Sequence, residues 1–434
     1  MSQTNQVTTT SGTPSAPMTP QLVVVLLSLL LGIQPITTDL YLPALPSLTQ
    51  DLSGSMMQAQ LTLTALSLAF GISQLFWGPL SDRFGRRPIL VWGMVFFTLS
   101  SIGSTIAPTF ELLIVWRAVQ GAAMGAAVST ARAIVRDLYA PIEGARAMSK
   151  GLTGLGVLAC LSGPVGAATS YFYGWRTAMG CIVVYGLIIT IVLAKHFVET
   201  NPYKNPRALS LSVLTGNWVF IAKTPTFWAY TALSIAAYSA LFTFLAGSSF
   251  VFLEILKISK LELGATMLAI SIAYIGGTFL CRRLIVRWGI QRTLRMGGFI
   301  TLGAGTAMGA LPLVGVVGYW SIMVPLLVLL VGHGIHQPCG QSGAVSPFPR
   351  MAGAAAALNG FLMMVSAFAV GTWLGDAMDG TVQPMTSGIW FWTVCIAASV
   401  WFLVPKWGDL GTPPKGPTPP TRVTPNSSAG PLKP

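Results

Sequence analysis

The chain has 434 residues, of which 53% are hydrophobic and only 9% charged, where a soluble protein carries about a quarter charged residues. A soluble globular domain is therefore excluded, and a polytopic membrane protein remains. Net charge is +13, and the placement of the basic residues decides whether that excess serves nucleic acid or membrane topology.

Runs such as "QLVVVLLSLLLGI" and "IVVYGLIITIVLA" are apolar on all sides. They read as helices, since the strands of a membrane barrel alternate apolar and polar residues. Each crossing takes about 20 residues. Taken in chain order, helices are expected at 21–46, 57–79, 88–107, 111–135, 148–171 and 175–195, then at 225–254, 262–284, 294–314, 317–341, 353–376 and 387–405. Residues 1–20 and 406–434 are polar or rich in Pro and Thr and are expected to be unfolded cytoplasmic tails. No Lys or Arg occurs before Arg83, so a cleavable signal peptide of the usual basic kind is not expected.

With the N-terminus inside, 21 of the 25 basic residues fall in cytoplasmic loops or the tail. Arg176, Lys257 and Lys260 fall outside and Arg117 within a helix. That bias places both termini in the cytoplasm. It accounts for the positive charge with no nucleic-acid partner. Residues 196–223, containing "ETNPYKNPR", divide the helices six and six. The expected organisation is an all-α membrane protein of two pseudo-symmetric six-helix bundles, 21–195 and 224–405, joined by a cytoplasmic linker. A repeat supports it. "SDRFGRRPIL" (81–90) aligns with "IVRWGIQRTL" (285–294) at an offset of 204, matching Arg83, Phe84, Gly85 and Leu90 with Arg287, Trp288, Gly289 and Leu294. Val286 stands where the first copy has Asp82.

The loop after the second helix, "WGPLSDRFGRRPIL" (77–90), concentrates one acid and three arginines. Gly78, Pro79 and Gly85 are expected to form a tight turn, with Arg83, Arg86 and Arg87 holding it on the positive side. A topological anchor does not need Asp82, which can accept from an arginine or cap a helix N-terminus. "GPLSDRFGRRP" resembles the loop signature between helices 2 and 3 of the major facilitator superfamily. "RAVQGAAMGAA" (117–127) resembles its helix 4 motif through Arg117, Gln120 and Gly121, with Gly125 also spaced for close helix approach. "SGPVGAA" (162–168), with Gly163, Pro164 and Gly166, resembles its helix 5 antiporter motif. "TTDLYLPALPSL", "RDLYAP" and "SSFVFLE" narrow the resemblance to the Bcr/CflA branch of drug:proton antiporters.

The resemblance implies a twelve-helix fold, alternating access, protons as the coupling ion with no other cofactor, and substrates of the bicyclomycin or chloramphenicol kind. It implies that Asp82, Arg86 and Asp137 form a gating cluster and that Asp39 and Arg117 are the proton-coupling pair. From the residues alone, an intramembrane acid is costly to keep and so a functional candidate, and Asp39 and Arg117 fall at similar depth on helices 1 and 4. Asp39 capping a break near Pro43 is the plainer alternative.

Glu254 and His333 are further titratable candidates, and Tyr238, Phe242, Phe244 and Tyr274 are candidates for an aromatic substrate cavity. His333 and His336 share a helix face but no carboxylate or cysteine pair accompanies them in sequence, and the five cysteines show no close pairing, so no metal site or disulfide is expected. GxSxG, HExxH and GxxxxGK[ST] are absent, which argues against an enzyme and against ATP as the energy source. The expected function is export of drug-like molecules in exchange for protons, by a monomer in the bilayer. A proton-coupled exporter of a sugar or amino acid, and a non-transporting receptor on the same fold, are the alternatives.

Overall fold

The structure is a computed structural model describing residues 18–408 apart from 140, 202, 203 and 207; most of the expected tails, 1–20 and 406–434, lies outside these. Every regular element among the described residues is helical. Helix α1 (Pro20–Thr38) carries Pro35, which cannot donate a backbone hydrogen bond. The α-helix ends there, short of the expected 46. The chain makes a tight turn at Leu42–Ala44 and resumes as α2 (Leu45–Asp51). Pro43 and Pro46, two more missing donors, account for the break.

Helix α3 (Met56–Phe84) starts from a reciprocal cap between Ser55 and Gln58. It runs through Gly78 and Pro79, so these two are helical and the expected three-residue turn reduces to Gly85 alone. Then follow α4 (Arg86–Ile106), α5 (Phe110–Leu138), α6 (Pro141–Tyr173) and α7 (Trp175–His196). The connecting stretch holds an apolar helix of its own, α8 (Leu211–Ala222), which packs on α9 and α12. Helix α9 (Pro225–Ser249) continues through a wide π-helical turn at Phe250–Ile255. After it come α10 (Lys260–Leu313), α11 (Tyr319–Val345), α12 (Ala352–Ala377) and α13 (Gln383–Ala398), the last extending to Trp407.

Eleven of the described helices are long and apolar enough to cross a membrane. Helix α10, with 54 residues, would reach about 80 Å if straight. It instead folds back at Gly289, whose φ of 74° and ψ of 171° are non-helical: Gly277 abuts Val331 of α11, and Thr301, as far beyond Gly289, abuts Gly332. Twelve crossings result. The fold-back replaces the loop expected between 284 and 294.

Gly85 has the same backbone conformation, φ 107° and ψ 161°, at the equivalent position of the first half. Both are conformations that residues with a Cβ rarely adopt. In the first half α1 packs on α6, α3 on α5, and α4 on α5 and α7; in the second α9, α10, α11 and α13 pack together. Contacts of α3 with α12 and of α6 with α10 join the halves. Large apolar side chains such as Trp92, Ile106, Phe172 and Phe299 lie exposed around the outside, as a lipid-facing surface requires. Gly85, Gly289 and the surrounding arginines mark one end of the bundle, called the basic end below.

Candidate functional site

Asp39 sits where α1 stops, its backbone N–H still bonded to Pro35 (2.8 Å). Its half-buried carboxylate accepts from the Thr38 hydroxyl (2.8 Å); Ser162 of α6 stands near it, its own hydroxyl donating to the Ala159 carbonyl (2.9 Å). Arg117 is fully enclosed, at 0% exposure, but it does not pair with Asp39: among the described residues no Lys or Arg nitrogen is within 4.0 Å of that carboxylate.

The Arg117 guanidinium instead donates to the Thr37 carbonyl (3.1 Å) and to Gln120 (2.6 Å), and stacks over the Tyr41 ring at 4.5 Å. The cause is local. The last carbonyls of a helix have no intrahelical partner and carry the negative end of its dipole, so the break in α1 offers Arg117 an acceptor closer than the acid. Gln120 passes the network on to Ser101 (2.6 Å), and Tyr41 shares a hydrogen bond with Thr62 (2.8 Å). The helix 4 motif therefore braces the break. Gly121 lies against the Leu66 backbone of α3 and Gly125 against Ser73.

The helix 5 motif closes on the same break from the other side. Gly166 faces the Leu40 carbonyl with no room for a Cβ, Gly163 takes Met267 of α10, and Pro164 backs onto Gly264. These residues hold the contact between the halves.

From the second half, Tyr238 stacks on Phe242 (centroids 6.2 Å apart) and accepts a hydrogen bond from the Gln34 amide of α1 (3.1 Å). Tyr238 also lies within electrostatic reach of Asp39. Phe244 does not join them. It stands edge-on to Phe252, fully buried on another face of α9, because two residues turn a helix by about 200°. Tyr274 is half-buried beside His333, their rings 5.5 Å apart. Glu254 lies exposed in the π-helical turn, away from the interior. His336 bonds Thr301 (2.8 Å), and no three His, Cys, Asp or Glu side chains gather among the described residues. Cys281 and Cys339, distant in sequence, do approach to 3.7 Å.

At the basic end Arg86, nearly fully buried, binds Asp82 (2.6 Å) and Asp137 (2.8 and 3.4 Å) and also donates to Ser81 (2.7 Å). Arg136 approaches Asp82 at 3.8 Å. Arg83 lies out over Phe84, and Arg87 donates to the Ala194 carbonyl (3.0 Å). Sequence reasoning missed Glu199. Its carboxylate takes the backbone N–H groups of Arg86 and Arg87 (2.8 and 3.0 Å), capping the start of α4 where the dipole favours an anion. Its signal was its rarity, one of twelve acids in the chain, in a stretch read as a linker. Gln34, Tyr41 and Ser162 were also missed, being ordinary residues made significant by the break.

A charged network braced around a broken first helix, a repeated glycine turn and two six-helix halves form one pattern, and residues 27–372 match the family model of the Major Facilitator Superfamily. The chain belongs to that superfamily. Among relatives of this superfamily member, Multidrug resistance protein D of Escherichia coli (strain K12) is 29% identical over 344 residues, covering 78% of this chain and 85% of the relative. The Chloramphenicol resistance protein of Pseudomonas aeruginosa is 26% identical over 335 residues, covering 77% and 79%. A partially occluded inward-open structure of the xylose transporter from E. coli superposes with a TM-score of 0.69 at 12% identity, over 92% of this chain and 99% of that one; this likeness concerns the fold. Family and fold are those of a transporter rather than an enzyme.

Proposed function

We propose that the protein exports drug-like small molecules from the cytoplasm in exchange for protons, as a monomer in a bacterial inner membrane with both termini inside. The relatives named for multidrug and chloramphenicol resistance support the substrate class, and the arginine-rich end supports the orientation. Asp39 carries the exchanged proton. The observation behind this is a half-buried carboxylate, free of any described ion pair, at a break in α1 that residues of both halves approach. An acid kept within the membrane span without a basic partner is expensive unless it titrates in the cycle. Arg117 acts on it at second hand, by fixing the Thr37 carbonyl and hence the shape of the break.

The basic-end cluster of Asp82, Arg86 and Asp137 steadies one of the alternating states. Substrate passes between the halves beside Tyr238 and Phe242, whose stacked rings suit a partly aromatic solute. Inverted vesicles carrying an imposed pH gradient test this with a compound panel. Proton release on adding lipophilic drugs supports export. Release with sugars or amino acids only indicates a metabolite exporter, and no proton flux with any compound indicates a receptor.

A further inference from the structure

At the basic end the first half carries a cavity of about 430 Å³ that takes no part in the Asp82, Arg86 and Asp137 cluster. Three helices meet there. The first turns of α1 supply Gln21, Val24 and Val25, the residue just past α5 supplies Tyr139, and the start of α6 supplies Glu143, Arg146 and Lys150. Arg146 and Lys150 are four residues apart and so share a face of α6. Among the described residues neither has a hydrogen-bond or ion-pair partner, Glu143 included. A topological anchor needs positive charge near the membrane but not two uncommitted cations lining one cavity. The cavity faces lipid. Lys150 is in register with Val157 and Leu161, seven and eleven residues on, both exposed apolar side chains, as is Val25 of α1. The apolar span of α6 begins at Arg146 and that of α1 at Pro20, so the two cations stand where hydrocarbon gives way to headgroups. Lys150 lies one turn deeper, about 6 Å, a depth from which its stem can reach back to that level.

We propose that this cavity binds one anionic phospholipid with a hydroxylated headgroup, phosphatidylglycerol in kind, from the leaflet at the basic end. Arg146 and Lys150 hold its phosphodiester by charge-assisted hydrogen bonds, Glu143 accepts from the headgroup hydroxyls, and the acyl chains leave along Val25, Val157 and Leu161. Charge decides the class. Two cations and one acid leave the lining with a single positive charge, which an anionic lipid neutralises and a zwitterionic one does not. The apolar side of the cavity decides between a lipid and a soluble phosphate ester, since Val24 and Val25 have nothing to offer the ester alone. The bound lipid touches α1, α5 and α6 and no helix of the second half. Helices α1 and α6 already meet through Gly151 on Leu27 and Gly154 on Ser28, so the lipid fastens the near end of the same pair whose far end holds the break at Leu40. The site is independent of what the protein exports.

The test is a lipid titration of the full chain, purified in detergent and stripped of lipid, with the bound lipid counted by native mass spectrometry. The first phosphatidylglycerol is expected to bind about fivefold tighter than phosphatidylethanolamine of the same chains, the worth of one net charge at such a surface, and glycerol phosphate not to bind over the same range. Arg146→Gln with Lys150→Gln weakens phosphatidylglycerol binding about thirtyfold, each basic residue contributing about fivefold. Lys150→Gln alone loses about fivefold and serves if the double variant has a lowered thermal midpoint without lipid. Arg282→Gln with Arg283→Gln removes the same charge from exposed positions at the same end and keeps the tight binding. Three results would overturn the proposal: equal affinity for phosphatidylethanolamine, glycerol phosphate bound as tightly as the lipid, or as large a loss in the Arg282 and Arg283 variant as in the cavity variant, which would make the attraction a diffuse property of the basic end.

Discussion

Asp39 and Arg117 stand out in the sequence because charge within apolar runs is rare, and that rarity made both visible as candidates. The expected Asp39–Arg117 pair does not form, and Arg117's actual partner was not legible, because the group that satisfies it is a backbone carbonyl, which no residue type announces. The consequence is testable. Arg117→Ala leaves the Thr37 carbonyl and Gln120 side chain buried without a donor, which costs about 1–3 kcal/mol for an unsatisfied group. A lowered denaturation midpoint in detergent is expected. Arg117→Lys recovers only part of it, since a single ammonium lacks the planar fork that serves two acceptors at once. If instead Arg117→Ala were as stable as wild type and Asp39→Asn restored it to full transport, the two would be a direct pair in the working protein.

Among elements, the glycine turns after α3 and within α10 carry the repeat most clearly. Only four of ten aligned residues match there, yet Gly85 (φ 107°, ψ 161°) and Gly289 (φ 74°, ψ 171°) both take a positive-φ, extended-ψ conformation at equivalent positions. Nothing lies within 4 Å of a Cβ placed on Gly289, so Gly289→Ala isolates backbone strain and is expected to cost about 1–3 kcal/mol. Gly85→Ala costs more, because the Glu199 carboxylate occupies the space the methyl group needs; chemical denaturation of both variants gives the order.

The turn explains why the helix ends escaped the sequence. A single residue of unusual φ reverses the chain, so polar stretches expected as loops are helical up to the glycine. The cluster beside Gly85 gives a second ranking. Asp137 is 14% exposed and grips Arg86 with both oxygens, whereas Asp82 is 40% exposed. Asp82→Asn therefore inserts normally and lowers export, and Asp137→Asn lowers it further, in a vesicle transport assay.

For the molecule as a whole, the two halves share a backbone and divide the chemistry unequally. The first holds Asp39, Arg117 and the Asp82–Arg86–Asp137 cluster; the second has Val286, 90% exposed, in the place of Asp82, and contributes aromatic rings and hydroxyls at the contact between the halves. That two-part architecture was legible from the run of apolar segments and the position of the basic residues. The joining of the halves was not, since it rests on side chains such as Gln60 and Ser249 that meet backbone carbonyls of the other half.

The central claim is that the single unpaired carboxylate at the broken first helix carries the exchanged proton. It is tested most directly by counting protons released when a transported drug is added to purified protein near neutral pH. Wild type is expected to release protons on binding and Asp39→Asn to bind without release. Equal release from both proteins would contradict the account and move the search to His333.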